Sequence, residues 1–291
     1  MAVYNGARYL REALESILCQ SFRDFEFLII DDGSTDDTLA ILNEYARKDA
    51  RICIISQPNR GLTKTLNQGV RLARGKFIAR MDADDIALPD RLQMQVEYLC
   101  NRPECVLVGS RVMLVDPDGL PIREICDEKT HGEIDAALLG HGWPLVHPAV
   151  TIRTQAIREI GAYSEKYRTN QDHDLFLRLA EYGRVANLPE LLLHYRQHPD
   201  SISMGNIRKK VDPLADILNE AFRRRGMSAP SRDITPTPGI APPLNPHQIW
   251  ARDALCAGHL STARKHAVAT LAIFPLSPQS WRMLYRSLRG R

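Results

Sequence analysis

Two groups of carboxylates carry the clearest chemical signal in this sequence. Ile29-Ile30-Asp31-Asp32-Gly33-Ser34 closes one apolar run, and Arg80-Met81-Asp82-Ala83-Asp84-Asp85 closes another. A carboxylate accepts hydrogen bonds from a base N–H or from ribose hydroxyls. Two of them spaced Asp-x-Asp can hold a ribose and a hard divalent ion together, because Mg2+ and Mn2+ use few protein oxygens and take further ligands from a diphosphate. Either cluster alone suits loop aspartates that cap helices or face water. Two clusters that both follow apolar strands point instead to one shared ligand, since open α/β sheets bind ligands beyond the carboxyl ends of their strands.

The surrounding pattern supplies such a sheet. Tyr9, Leu10, Ala13, Leu14, Ile17 and Leu18 recur at helical spacing, and Phe25 to Ile30 reads as a buried strand. Ser34 with Asp37 predicts a capped helix carrying Leu39, Ile41, Leu42 and Tyr45. Arg51 to Ser56 is a strand, Leu62 to Ala73 a helix closed by Gly75, and Phe77-Ile78-Ala79 the start of another strand. Strands alternating with helices imply right-handed crossovers and a parallel sheet. Further on, Pro89-Asp90 opens a helix, Cys105 to Val108 is a strand, and Asp116-Pro117-Asp118-Gly119 is a turn. His147 to Arg153 reads as extended, Asp172 to Glu181 as helical and Leu191 to His198 as a last strand. Gly140-His141-Gly142-Trp143-Pro144 with His147-Pro148 suits either an acceptor loop, where sugars stack on aromatic faces, or a buried Trp143 anchor.

Composition bounds the class. With 44% hydrophobic and 25% charged residues in 291, the chain is globular rather than disordered. A net charge of +3 is too small to argue for nucleic acid. No apolar stretch reaches the ~18 residues of a membrane span, and no basic-then-apolar leader opens the sequence. Cys19, Cys53, Cys100, Cys105, Cys126 and Cys256 form no Cys-x-x-Cys pair, so they read as core residues of a reducing, cytoplasmic compartment. The expected organisation is a catalytic domain over residues 1–205, a basic connecting helix over 206–225 that includes Arg223-Arg224-Arg225, a proline-rich linker over 226–246, and a small helical extension over 247–291. The extension resembles one helical-repeat unit, which cannot bury its own face. It either docks as a cap or lies on an anionic membrane surface, which would place the chain at the inner membrane face.

Val3-Tyr4-Asn5-Gly6, the Asp31-Asp32-Gly33-Ser34 turn, Asn67-Gln68-Gly69, Gly75 and Asp82-Ala83-Asp84-Asp85 resemble, in order and spacing, glycosyltransferase family 2 of the GT-A fold. The likeness spans roughly residues 1–205. It implies an α/β fold of GT-A type, with a mostly parallel sheet flanked by helices and here an all-helical C-terminal extension. It implies an inverting transferase using a nucleotide diphosphate sugar, UDP-linked, with Mn2+ or Mg2+ and a glycan or lipid-linked acceptor of cell-surface polysaccharide synthesis. By resemblance Val3 and Tyr4 line the base pocket, Asp32 meets the pyrimidine, Asp82 binds ribose with Ala83 between, and Asp84 ligates the metal. Lys64 is a looser candidate for base or phosphate, equally readable as a solvated helix lysine. Asn170-Gln171-Asp172-His173-Asp174 resembles the family's acidic motif before a helix, so Asp172 aligns with the base that takes the acceptor proton. Gln171 departs from the acid common there, and Asp172 as a mere helix cap is the plain alternative. Asp174 reads as a support. His198, in Tyr195-Arg196-Gln197-His198, resembles the histidine that approaches metal or diphosphate, and Arg196 is a candidate to neutralise phosphate.

Family members begin with a full apolar strand before the Val-Tyr-Asn-Gly turn, of which Met1-Ala2-Val3 remains. The expectation is a miscalled start or a truncated product, with unpaired backbone beside the nucleotide pocket. Competing readings are a truncated scaffold whose helices bind a partner, a haloacid-dehalogenase-like phosphotransferase, and a nucleotidyltransferase. Neither aspartate cluster has the spacing of the second, and Asn5-Gly6-Ala7-Arg8 lacks the glycine-rich loop of the third.

Overall fold

Leu10, Ala13, Leu14 and Ile17 line one face of the first helix and are fully or almost fully buried, so that helix is fixed by its apolar stripe. The computed structural model describes residues 1–140, 142–201, 213–228 and 245–290. Several expectations lie outside the described residues: His141, the start of the basic connecting helix at 207–212, and linker prolines Pro230, Pro236, Pro238, Pro242 and Pro243.

The described chain forms two compact units. The first, residues 1–112, 126–193 and 212–230, opens with β1 (Ala2–Val3), α1 (Ala7–Leu18), β2 (Phe27–Asp31), α2 (Thr38–Ala46), β3 (Ile52–Ser56) and α3 (Leu62–Leu72). β1, β2 and β3 form a parallel sheet, with Val3 opposite Asp31 and Asp31 opposite Ser56. The register brings the ends of all three strands to one edge, which is where the first acidic cluster lies.

Then follow β4 (Phe77–Ala79), β5 (Ile86–Ala87), α4 (Arg91–Cys100), β6 (Cys105–Val115), β7 (Pro121–Ile125), α5 (His131–Leu139), β8 (Thr151–Arg153), α6 (Thr154–Glu159), α7 (Gln171–Tyr182) and β9 (Arg184–Arg196). A second sheet runs in the order β4-β8-β6-β9-β5, with β8 antiparallel to both β4 and β6. β6 is buried along almost its whole length, the signature of a strand covered on both faces. Its core neighbours are Leu99, Ala186, Leu188 and Leu192. α8 (Leu214–Arg224) also belongs to this unit. The triple arginine at its end is not a free basic patch. Arg225 donates to Asp135 (2.7 Å) and Arg224 to Glu181 (2.8 Å).

Two local expectations fail for identifiable reasons. The Ser34–Asp37 cap does not form, because Ser34 Oγ accepts from the Asn5 N–H (2.9 Å) and α2 begins at Thr38 with no side-chain cap. The segment expected to be extended from His147 first makes a 3-10 turn, His147–Ala149, with Pro148 pre-set for it, and only then enters β8.

The second unit contains 113–125, 194–211 and 231–291. In it β7 pairs with β6, whose last residues belong here. Three helices follow: α9 (Pro246–Cys256), α10 (Leu260–Ile273) and α11 (Pro278–Arg289). Trp250 of α9 is 1% exposed and packs with Leu114, Ile122, Ala254 and Ala263. Trp250 and Ala254 of α9 and Ala263 of α10 are thereby covered within the unit, while Val268 and Ile273 of α10 stay exposed. No described helix is long and apolar enough to cross a membrane.

Candidate functional site

β1 ends at Val3, and the chain then turns through Asn5, whose φ of 51° lies in the left-handed region that short polar side chains tolerate. The turn is held from the side of the first acidic cluster. Asp32 N–H donates to the Val3 carbonyl (2.8 Å), and the Gly6 N–H donates to Thr38 Oγ1 (2.9 Å). Gly6 also sits against the second cluster: a Cβ there would lie 2.8 Å from Val3 Cγ2 and 3.4 Å from the Ala83 Cβ. Gly6 is therefore closely walled by Val3 and Ala83, so this turn borders both acidic loops. Tyr4 projects outward, 53% exposed, open to a planar ligand.

Asp32 is buried, and its carboxylate is already in use. It accepts from Gln57 Nε2 (2.8 Å), the Arg60 N–H (2.9 Å) and the Gly61 N–H (2.8 Å). Burial opposes its charge, but these bonds outweigh burial and hold the carboxyl below its usual range. Asp32 thus shapes the loop that leads into α3, where Lys64 stands exposed on the first turn.

The second cluster brings together three carboxylates that could hold a cation. One carboxylate oxygen from each of Asp82, Asp84 and Asp85 lies within 4.8 Å of the others. Three like charges this close repel, and a hard divalent ion offsets that repulsion with the oxygen ligands it prefers. The donor set fits Mg2+ or Mn2+ better than a softer metal. Beneath it lies a layer of buried arginines. Arg80, 5% exposed, donates to Asp82 Oδ1 (2.6 Å). Arg91, fully buried on α4, donates to the Arg80 carbonyl (2.6 Å) and to Gln95 (3.3 Å). Burial raises the Asp82 carboxyl, Arg80 pulls it back down, and Asp84 pushes it up again.

Asp172 occupies the first turn of α7. Burial raises its carboxyl above the ordinary value, the His173 N–H opposes that, and Arg80 and Asp82 both lie within electrostatic reach. Arg80 therefore acts electrostatically on both Asp82 and Asp172. His147 Nε2 and Tyr163 Oη are 2.7 Å apart in the same buried zone. Burial, with Arg80 adding to it, lowers His147 well below 6.5, so its ring is neutral. Tyr163 is tied to α3 by a reciprocal pair with Asn67, at 2.9 Å each way. Asp174 turns away to Arg178 (2.5 Å), which itself donates to the Ile160 carbonyl (2.9 Å), so it braces α7.

Trp143 is 49% exposed beside His173, with ring centroids 5.0 Å apart, so it is not a buried anchor. His198 and Arg196 belong to the second unit, where Arg196 is buried and donates to the Pro117 carbonyl (2.9 Å). An apolar cavity of about 650 Å³ lies beside β1, walled by Met1, Phe27, Leu66, Phe77, Ile78 and Leu92 among others, and none of the site aspartates lines it. Sequence reading gave Arg80, Arg91 and Tyr163 no role and took His147 only as part of the acceptor-loop segment. An arginine at the end of an apolar strand, directly before an Asp-x-Asp, was a usable signal for Arg80; Arg91 looks like any surface-helix arginine.

Residues 1–160 match the model of glycosyl transferase family 2. Over 214 residues the chain is 36% identical to an uncharacterized glycosyltransferase of Methanocaldococcus jannaschii, covering 72% of this chain and 73% of that one. Its fold is similar to S. aureus TarS 1-349 in complex with UDP-GlcNAc, with a TM-score of 0.60 and 16% identity over 99% of this chain and 78% of that one. It is also similar to the mannosyltransferase PcManGT from Pyrobaculum calidifontis in complex with GDP-Man and Mn2+, with a TM-score of 0.53 and 17% identity over 99% of this chain and 83% of that one.

Proposed function

The chain belongs to glycosyl transferase family 2, and from that premise we propose that it moves a sugar, with inversion, from a UDP-linked donor to a hydroxyl of a glycan or lipid-linked acceptor in cell-surface polysaccharide synthesis. The enzyme is a nucleotide-sugar-dependent transferase of GT-A fold. The observation that carries the finer reading is that Asp172 lies within electrostatic reach of Arg80 and of Asp82, a member of the Asp82-Asp84-Asp85 cluster.

In this reading Val3 and Tyr4 border the base, with Asp32 fixing the loop around it. Asp82, held by Arg80, accepts from the ribose. Asp84 and Asp85 would hold a divalent ion, which would supply positive charge to a leaving diphosphate. Asp172 accepts the proton of the attacking hydroxyl. The new bond forms from that oxygen to the anomeric carbon, while the bond to the diphosphate breaks and the electron pair leaves with it. A carboxylate whose proton affinity is raised by burial is better matched to this task than an exposed one.

The test is release of nucleoside diphosphate from a panel of UDP- and GDP-sugars, with EDTA and with Mn2+ restored. We expect metal-dependent release from a UDP-sugar and a loss of metal-dependent UDP affinity in Asp84→Asn. UDP affinity that ignores both metal and Asp84→Asn would overturn the assignment, and release from GDP-sugars alone would replace the base.

A further inference from the structure

The last helix turns its aromatic side to solvent. In α11, Trp281, Tyr285 and Leu288 recur at steps of four and three, so they line one face. They are 56%, 55% and 60% exposed, and Leu276 in the preceding turn is 94% exposed. An adjoining face packs through Ser280 and Ser287, both buried, with Met283 and Leu284 half-buried, and Arg264 Nε donates to the Ser287 carbonyl (3.0 Å). A helix that buries serines and exposes tryptophan reverses the usual arrangement. Trp250, Ala254 and Ala263 of α9 and α10 pack inside the unit, but Trp281, Tyr285 and Leu288 stay bare, so docking within the unit does not cover this face.

Charge completes the picture. Arg282, Arg286 and Arg289 each follow one of the three apolar residues, forming a parallel cationic stripe, and Arg289 stacks over the Tyr285 ring (4.8 Å to the centroid). No aspartate or glutamate occurs anywhere after Asp253. The Trp281 indole N–H is satisfied by the Pro275 carbonyl (2.9 Å), so the remainder of the ring meets solvent as apolar surface.

We infer that this face of α11 docks on an anionic lipid surface. Trp and Tyr suit a boundary that is apolar on one side and wet on the other. Interfacial helices combine such a face with flanking cations, and anionic headgroups attract each cation near the surface. A second copy of the same face in an antiparallel pair is disfavoured, because that two-fold would set the arginine stripes against one another.

The experiment is sedimentation of the full chain with phosphatidylcholine vesicles, with and without phosphatidylglycerol. Expected is binding that requires phosphatidylglycerol and is lost in high salt. Arg282→Gln/Arg286→Gln/Arg289→Gln should weaken it about a hundredfold, the effect of three near-surface charges. Trp281→Ser/Leu288→Ser should also weaken it; both variants alter exposed residues, and an unchanged circular-dichroism spectrum would verify their folding. Failure to bind, equal binding to neutral vesicles, or a triple variant that binds like the parent overturns the proposal. A lipid-independent dimer lost in Trp281→Ser would put a second copy in place of the lipid.

Discussion

Asp172 has two possible occupations, proton acceptor and helix cap, and its protonation equilibrium separates them. Burial raises its carboxyl above 3.8, so the folded protein holds this proton more tightly than the unfolded chain does. The sign follows: the folded state is penalised once pH rises past the unfolded value, and ionised Asp172 costs stability at neutral pH. Asp172→Asn should therefore leave Tm no lower at pH 7, whereas removal of a stabilising cap would lower it. The same substitution removes the proton acceptor, so kcat should fall by about 10² to 10⁴ with UDP affinity unchanged. For the parent, the acidic limb of kcat should lie at higher pH than an ordinary aspartate gives. A pH profile of both forms checks this, and a profile governed by an unshifted carboxylate would contradict it.

Between elements, the decisive junction is where the β1–α1 turn meets the second acidic loop. Gly6 has φ −99°, which any residue adopts, so its requirement is space rather than backbone freedom. Gly6→Ala would drive a methyl to 2.8 Å from Val3 Cγ2 and against Ala83. Displacement of either wall should weaken UDP binding several-fold and cost about 1–3 kcal/mol, the range for overpacking. Calorimetric titration with UDP and a thermal melt measure the two effects. A wild-type titration would mean that the clusters do not share one ligand. The failed Ser34–Asp37 cap belongs to this scale too: Ser34 serves Asn5 instead, so a local signal yields to the need to hold the turn.

Across the molecule, the second unit rests on one buried acid of its own. Asp116 is fully buried at the end of β6 and accepts from the Asp118 and Leu120 N–H groups (2.9 Å each), from Lys265, and from His266 Nε2 (2.9 Å). His266 Nδ1 in turn lies 2.8 Å from His247 Nδ1. Burial opposes the Asp116 charge, but His266, Lys265 and the backbone bonds outweigh it and depress the carboxyl strongly. A depressed acid stabilises above its unfolded value and loses that contribution as pH falls through the folded one. Asp116→Ala leaves His266 and Lys265 without their acceptor, at a cost of about 3 kcal/mol. Hydrogen exchange in α9 and α10 should accelerate accordingly, and unchanged protection there would show that the cluster is incidental.

The sequence by itself determined the alternating strands and helices of the first unit, because the periods of 3.6 and 2 are local properties of the chain. It likewise located the acidic clusters and Asp172, since residue type and strand end are both visible in one dimension. It did not reveal Arg80 and Arg91 as the layer beneath the aspartates, nor the His147–Tyr163 pair, because burial of a charge depends on what folds over it. Nor did it separate α11 from α9 and α10: all three carry apolar residues at helical spacing, and only packing decided that Trp250 goes inside while Trp281 stays out. Tertiary structure settles such cases because the helical period gives each helix a face, but the partner that covers that face lies elsewhere in the chain.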